Sequence, residues 1–208
     1  MSRTHKTAPN TREQALITQR LFPIVGVDEA GRGPLAGPVV ASAVVLPAGL
    51  VIDGVYDSKK ITPKRRAELA QEIKTKAISY AYGIINAIEI DSINILQATL
   101  KAMQLAVDNV QINMGETIMY ALIDGNRLPA LPCPAEAITK GDIHCHLIAA
   151  ASILAKEKRD TIMDEMHQLY PQYGFNQHAG YGTATHLQAI RDYGACPIHR
   201  KTFKGVKP

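Results

Sequence analysis

The sequence predicts an α/β protein in which one mixed sheet is covered by helices. Short, valine-rich runs bounded by glycine and proline have the pattern of strands, and longer segments with apolar residues at three- and four-residue spacing have the pattern of helices. Two strands come first, and strands and helices then alternate. With 208 residues, the chain is long enough for one domain with a single large core.

The first predicted elements are two strands, residues 24–29 and 38–46, which are joined by a glycine-rich loop. A helix is predicted after Thr62, because a threonine followed by proline marks a helix start and apolar residues then recur every four positions as far as Ala77. Functional side chains of α/β sheets gather at strand ends, so the loop after the first strand is the first candidate for a site.

Six further elements are predicted after this helix. In chain order, they are a strand over residues 78–85, an amphipathic helix within 90–110, strands over 119–125 and 135–142, a long helix over 143–167 and a shorter helix from Thr183. Asp91 or Ser92 is the predicted cap of the amphipathic helix. Each of the two later strands has an aspartate at its end.

Residues 1–20 are polar and predict a mobile tail in front of a single domain over residues 21–208. The tail lacks the apolar core of a secretory signal, and no apolar run is long enough to span a bilayer, so a cytoplasmic protein without membrane contact is expected. The cysteines argue against a disulfide framework or a cysteine zinc site, because they are odd in number and form no Cys-x-x-Cys pair; they are Cys133, Cys145 and Cys196.

Residues 24–40 read IVGVDEAGRGPLAGPVV, and the glycine cluster suggests a phosphate-binding loop. A dinucleotide fingerprint requires a helix after the loop, whereas this loop leads into a second strand, and the lysine of a P-loop is missing. A nucleotide-cofactor enzyme is therefore disfavoured. Either a plain tight turn or a turn that brings the bare backbone of Gly31 and Gly33 close to a ligand remains, with Arg32 held between the two glycines.

Four acidic residues lie where strands are predicted to end, and they are Asp28, Glu29, Asp124 and Asp142. A single aspartate at such a place is most often a turn former. Four together suggest a cation site, because like charges about 4 Å apart repel by roughly 4 kcal/mol at a surface-like dielectric. Oxygen ligands without histidine or cysteine favour Mg²⁺ or Mn²⁺.

Asp28 and Glu29 are adjacent, and adjacent side chains of a strand point to opposite faces of the sheet. The two acids can serve one site only if the chain leaves strand geometry, so a bend is predicted between them.

Basic residues are concentrated in two runs. Residues 58–66 contain five lysines or arginines and no acid, and residues 199–208 contain four and no acid. Either run alone is most simply a solvated surface. Beside a cluster of acids, the two runs indicate a metal-dependent enzyme that holds a polyphosphate backbone and hydrolyses a phosphodiester, with two ions activating water and stabilising the leaving oxygen.

Seven segments in this order closely resemble bacterial ribonuclease HII, and the resemblance extends from about Ile24 to Val206. The segments are VGVDEAGRGPLAGPVVASAVVLP, DSKKITPKRR, LIDGN, KGD, AAASILAKEKRD, YPQYGFNQHAGYGTATH and IHRKTF. The resemblance implies a ribonuclease H-like fold with a mixed five-stranded sheet, flanking helices and a small helical C-terminal part. It also implies a monomeric endonuclease of DNA replication and ribonucleotide excision repair that uses two Mn²⁺ or Mg²⁺ ions.

The implied reaction cuts the RNA strand of RNA·DNA hybrids and incises 5′ of single ribonucleotides in duplex DNA, leaving 3′-hydroxyl and 5′-phosphate ends. By the same resemblance, the four acids bind the metal ions and are catalytic. Gly31, Arg32 and Gly33 read the 2′-hydroxyl of the ribonucleotide largely through the backbone, and Tyr181 packs on a neighbouring sugar. The implied phosphate contacts are Ser58, Lys59, Lys60, His199 and Arg200.

The sequence allows three other interpretations. A catalytically silent nucleic-acid-binding protein of the same fold is the main alternative. The sequence HCH at residues 144–146 suggests zinc, but adjacent side chains of a helix point about 100° apart and do not converge on one ion. Ser152 lacks the glycines of a nucleophile elbow and is expected to pack within a helix.

Overall fold

The computed structural model describes residues 6–206 and confirms the predicted mixed sheet of five strands. The strands are β1 (Ile24–Ala30), β2 (Val39–Val45), β3 (Ser79–Ile85), β4 (Tyr120–Asp124) and β5 (Ala135–Ile138), in the order β3-β2-β1-β4-β5. The helices are α1 (Thr11–Thr18), α2 (Pro63–Lys76), α3 (Ala87–Met114), α4 (Gly141–His144), α5 (His146–Leu169), α6 (Phe175–His178) and α7 (Ala184–Tyr193). None of these helices has both the length and the apolar composition that a bilayer crossing requires.

Strand β1 lies at the centre of the sheet, antiparallel to β2 and parallel to β4. Because β1 and β4 run in the same direction, their carboxyl ends meet at one edge of the sheet. Asp28 and Asp124 are both at that edge, since Val27 pairs with Ile123 in the last pair of the β1–β4 ladder.

Helix α5 packs on one face of the central strands and α3 on the other. Both faces of β1 are therefore buried, with Ile24 in the core beside α5, and Val25 and Val27 in the core beside α3. Gly26 allows α5 to approach closely, because an added Cβ would lie 2.4 Å from the backbone of Leu147. The start of α5 is thus held next to the strand that carries Asp28.

The predicted starts of two helices are confirmed. The Thr62 hydroxyl accepts a hydrogen bond from the Arg65 backbone and caps α2, and Thr183 caps α7 in the same way. The predicted cap of α3 is wrong, because the helix begins earlier and Asn86 caps it. The helix is also broken at Asn94, whose backbone is non-helical (φ +67°) and whose Oδ1 accepts hydrogen bonds from the amides of Leu96 and Gln97, so Asn94 caps the part that follows. The Asp91 carboxylate instead accepts hydrogen bonds from the backbone of Lys201 and Thr202, so it fastens the C-terminal segment.

The structure describes residues 6–20 of the predicted mobile tail, and these residues include a packed helix. Residues 1–5 lie outside the described residues, but α1 packs on the core, where Leu16 is 2% exposed. The Glu13 carboxylate is also buried and accepts hydrogen bonds from the Leu147 amide at 2.8 Å and from the Cys145 thiol at 3.2 Å. The physical reason is that the first amides of α5 have no partner within their own helix, and Glu13 supplies one.

The predicted strand over 135–142 is too long. Strand β5 ends at Ile138, the chain turns through Lys140, and Asp142 lies on the short helix α4. Cys145 then has extended backbone dihedral angles and separates α4 from α5, so the predicted long helix begins at His146.

Candidate active site

A cleft of about 790 Å³ opens at the edge where β1 and β4 end. Its lining combines acids, the glycine loop, basic side chains and a tyrosine, and includes Asp28, Glu29, Gly31, Arg32, Gly33, Ser58, Lys59, Asp124, Asp142, Ser152, Lys156, Arg159 and Tyr181. Of the predicted site residues, Lys60, His199 and Arg200 do not line it. The cleft therefore joins segments that are more than 150 positions apart in the chain.

Three of the predicted acids converge. Asp28, Glu29 and Asp124 each offer a carboxylate oxygen, and these oxygens all lie within 4.8 Å of one another. Burial raises the pKa of Asp28 well above its ordinary value, and the neighbouring charges of Glu29 and Asp124 raise it further. A divalent cation fits this group, because it would compensate the repulsion and bind the hard carboxylate oxygens.

The predicted bend between Asp28 and Glu29 is wrong. Strand β1 continues through both residues, with Asp28 paired to Ser42 and Glu29 to Ala41. The Asp28 carboxylate instead reaches the backbone of the following residue, and its Oδ1 accepts a hydrogen bond from the Glu29 amide at 2.6 Å. The carboxylates approach each other through side-chain conformation, without a break in the ladder.

Asp142 lies in the same cleft, outside the group of three converging acids. The Gly141 amide donates to Asp124 Oδ1 at 2.6 Å, so the start of α4 is tied to the end of β4. Burial raises the pKa of Asp142, and the charge of Asp124 adds to that shift. The α4 segment thus places the fourth acid beside the first three.

The basic residues after Asp57 face two different grooves. Lys59 lines the acidic cleft, where its charge acts against the raised pKa of both Asp124 and Asp142. Lys60 turns away, since its Nζ lies 3.7 Å from Asp57 and its side chain lines a separate groove with Arg65. Ser58 is 3% exposed in the wall of the acidic cleft.

The glycine loop and Tyr181 are neighbours. A Cβ added at Gly33 would lie 3.5 Å from Cε1 of the Tyr181 ring, which is itself 47% exposed. Gly31 has a φ of +98°, and an added Cβ there would come within 2.1 Å of the Arg159 side chain. Glycine at both positions therefore lets bare backbone face the cleft beside an accessible aromatic ring.

The predicted phosphate contacts at His199 and Arg200 are corrected, because both side chains are buried, at 1% and 0% exposure. Arg200 donates to the carbonyl oxygens of Gly31 at 2.6 Å, Arg32 at 3.0 Å and Gly37 at 3.0 Å. It holds the glycine loop from behind and leaves no accessible donor for a phosphate. His199 is likewise engaged inside the protein, with its Nε2 3.0 Å from His186 Nε2.

Three side chains of α5 were missed as site residues, and they are Ser152, Lys156 and Arg159. The Ser152 hydroxyl lies 3.0 Å from that of Ser58, and its proximity to Asp28 opposes the rise in the pKa of that acid. Their spacing of four and three residues puts them on one face of the helix, a polar stripe that the sequence displays. The expectation that Ser152 only packs within a helix is incomplete.

Two side chains of the HCH segment, those of Cys145 and His146, have separate partners. The Cys145 thiol contacts Glu13, and His146 Nε2 accepts a hydrogen bond from the Ile52 amide at 3.0 Å. Neither side chain lines the acidic cleft.

Acids converge at the ends of two parallel strands of a mixed β3-β2-β1-β4-β5 sheet, in a cleft that also carries lysine and arginine side chains. This arrangement defines the class of ribonuclease H-like nucleases. A family model described as Ribonuclease HII matches residues 25–206. A curated protein named Ribonuclease HII, from Caldanaerobacter subterraneus subsp. tengcongensis, is 52% identical over 191 residues, covering 92% of this chain and 78% of that protein. The chain belongs to the ribonuclease HII family and is a ribonuclease H that acts on nucleic acid.

Two solved structures share the fold. The crystal structure of ribonuclease H2 from Pyrococcus horikoshii OT3 has a TM-score of 0.70 and 24% identity, and the match covers 88% of this chain and 94% of that one. The crystal structure of Bst-RNase HIII in complex with Mn²⁺ has a TM-score of 0.66 and 18% identity, covering 93% of this chain and 71% of that one. These likenesses confirm the ribonuclease H-like architecture.

Proposed function

We propose that this ribonuclease H hydrolyses the RNA strand of RNA·DNA hybrids and incises 5′ of single ribonucleotides in duplex DNA, leaving 3′-hydroxyl and 5′-phosphate ends. One observation carries the proposal. The converging carboxylates of Asp28, Glu29 and Asp124 share a cleft with the glycine loop and Tyr181. A site for phosphodiester chemistry and a surface that can test a sugar therefore lie side by side.

Asp28, Glu29 and Asp124 would hold divalent cations, with Asp142 completing the set from α4. The hard oxygen donors suit Mg²⁺ or Mn²⁺, and the related fold of Bst-RNase HIII is solved with Mn²⁺. Two bound ions would supply an activated water and would stabilise charge on the scissile phosphate and the leaving oxygen. The raised pKa of Asp28 supports this assignment, because a buried acid surrounded by like charges is stabilised by a cation.

The chain itself binds and orients the substrate. Lys59 is one of the basic side chains that line the cleft, and its charge acts on Asp124, so it would contact a phosphate next to the scissile one, with Ser58 beside it. Lys60 lies in the adjoining groove with Arg65 and would contact a phosphate farther along the duplex. Arg32 is half exposed and lies 3.5 Å from Glu29 Oε1, at the mouth of the cleft.

Recognition of the ribonucleotide would depend on close approach. The backbone of Gly31 and Gly33 faces the cleft without side chains, which lets its polar groups reach a 2′-hydroxyl. The Tyr181 ring beside Gly33 would pack on the adjacent sugar and favour one that lacks a 2′-hydroxyl. The two contacts together would select the step between ribonucleotide and deoxyribonucleotide.

The test uses a DNA duplex with one ribonucleotide, a long RNA·DNA hybrid and an all-DNA duplex, each with Mn²⁺, Mg²⁺ or EDTA. We expect metal-dependent cutting of the first two only, and polymerase extension from the nick would verify the 3′-hydroxyl. Asp124→Asn is the control and should lose cutting while retaining hybrid binding. If wild-type protein binds the hybrid but leaves all substrates intact, the alternative of a silent binding protein of this fold is correct.

A further inference from the structure

Two buried histidines connect the C-terminal segment to the backbone of Tyr181. His199 Nε2 lies 3.0 Å from His186 Nε2, and His186 Nδ1 lies 2.9 Å from the Tyr181 carbonyl oxygen. Both imidazoles are almost fully buried, at 1% and 0% exposure. The substrate-facing cleft is lined by neither ring, so the pair is not explained by contact with nucleic acid or metal.

The hydrogen bonds around the pair define where the protons are. The Cys196 amide donates to His199 Nδ1 at 2.9 Å, so this nitrogen carries no proton in the neutral ring. His199 must then donate from Nε2 to His186 Nε2, and His186 donates from Nδ1 to the Tyr181 carbonyl oxygen. Every polar atom of the two rings is satisfied in this single arrangement of two neutral tautomers.

Several hydrogen bonds fix the backbone at Tyr181, and the one from His186 is part of this set. Its carbonyl oxygen also accepts from the Thr183 amide at 2.8 Å, and the preceding Gly180 carbonyl accepts from the Leu35 amide at 2.8 Å. Gly180 has a φ of +82°, and an added Cβ would lie 2.6 Å from the Ala36 carbonyl oxygen. The turn before Tyr181 therefore packs on the glycine loop, and the hydrogen bond from His186 holds Tyr181 at the end of that turn.

We propose that His186 and His199 are positioning residues for ribonucleotide recognition: they fix the Tyr181 backbone so that its ring stays against Gly33. This inference rests on the proposed function, in which Tyr181 tests the sugar next to the ribonucleotide. The two imidazole side chains act on recognition through Tyr181, since among the described residues no hydrogen bond joins either ring to the converging acids. Its loss changes which substrate is cut, and leaves the metal-dependent chemistry on long hybrids.

The measured quantity is a selectivity ratio, defined as kcat/KM for the single-ribonucleotide duplex divided by kcat/KM for the long hybrid. His186→Phe keeps a flat ring against Phe175 and removes both hydrogen bonds, and it should lower the ratio by about tenfold. His186→Asn places an amide where Nδ1 was and should restore most of the ratio. Leu16→Ala, in α1, controls for general destabilisation and should leave the ratio unchanged.

A double-mutant cycle separates positioning from a general structural role. In the Tyr181→Ala background, His186→Phe should change the ratio by less than about twofold, because the ring that it positions is gone. An equal loss in both backgrounds, or an unchanged ratio in folded His186→Phe, would overturn the inference. If His186→Phe does not fold, His186→Gln, whose amide replaces Nε2 and cannot reach Tyr181, enters the same cycle.

The inference and the proposed function fail in different ways. If wild-type protein does not incise the single-ribonucleotide duplex, the proposed function is wrong and the inference falls with it. If wild-type protein incises it and Tyr181→Ala lowers the ratio, but His186→Phe and His186→Gln do not, then the positioning role alone is wrong.

Discussion

Replacing Asp28 by asparagine should make the metal-free protein more stable while it removes the response to metal. Asp28 is 5% exposed, and its carboxylate oxygen lies within 4.8 Å of those of Glu29 and Asp124. Asparagine retains an oxygen that can accept from the Glu29 amide, which now donates to Asp28 at 2.6 Å. The substitution therefore removes a charge and leaves the local hydrogen bond in place.

The expected size follows from the geometry. Two unit charges separated by the 4.8 Å limit interact by about 3.5 kcal/mol at an effective dielectric constant of about 20. Burial and the neighbouring charges raise the pKa of Asp28 and so favour its neutral form, which means that wild type already avoids part of this repulsion and the substitution relieves only the remainder. We expect a gain of about 2 kcal/mol, which raises Tm by about 4–8 °C in a chain of this size.

Thermal unfolding in EDTA and in Mn²⁺, for wild type and Asp28→Asn, measures both effects. In EDTA the variant should melt at the higher temperature, whereas Mn²⁺ should raise the Tm of wild type much more than that of the variant. Asp91→Asn is a matched control with the opposite environment. Partial burial raises the pKa of Asp91, but hydrogen bonds from Thr202 outweigh that effect and lower it. The folded protein therefore stabilises the Asp91 carboxylate, and Asp91→Asn should lose stability. An Asp28→Asn Tm in EDTA at or below that of wild type would refute the reasoning.

Three further predictions concern the described contacts. Glu13→Ala should lower the free energy of unfolding by about 2 kcal/mol in urea titrations, because the Leu147 amide loses its acceptor; Glu13→Gln should recover most of it, and equal stabilities would contradict the capping role. Lys59→Ala should weaken hybrid binding and reduce the slope of log K against log salt by about one, and an unchanged slope would exclude a phosphate contact. Burial lowers the pKa of His199 to about 4, with a smaller contribution from the neighbouring His186. Between about pH 6.5 and pH 4 the unfolded chain therefore binds a proton that the native ring does not, so the free energy of unfolding should fall as the pH drops through this range. Relative to His199→Asn, wild type should lose about 1.5 kcal/mol between pH 6.5 and 5 in urea titrations; parallel pH dependence of the two proteins would show that the ring does not titrate as described.

Much of the fold could be predicted because its signals are local. The caps Thr62 and Thr183 and the alternation of strands with helices are properties of short windows of sequence, and the structure confirms them. Element ends were less predictable. Strand β5 ends four residues before Asp142, because the chain turns through Lys140 into α4. Helix α3 begins at Ala87, because Asn86 supplies the cap and not Asp91 or Ser92.

The site shows the same division. The four acids could be selected from sequence as a cation site, because residue type shows their charge and the predicted strand ends show that they would lie close enough to repel one another. The basic run at residues 199–208 misled for a physical reason: sequence shows that Arg200 is charged but does not show that it is buried. Its partners are Gly31, Arg32 and Gly37, between 163 and 169 positions away, so no local window contains them.

By itself, the sequence determined the family, the mixed α/β class and the set of acids and glycines that the cleft contains, since these depend on residue type, periodicity and motif order. Tertiary structure alone decided which charges are available to a substrate. It turned Lys59 towards the acids and Lys60 away from them. It also buried Glu13 against the start of α5, and it placed His199 and Arg200 behind the glycine loop. Burial and direction result from how separate elements pack, and that information is shared across the whole chain.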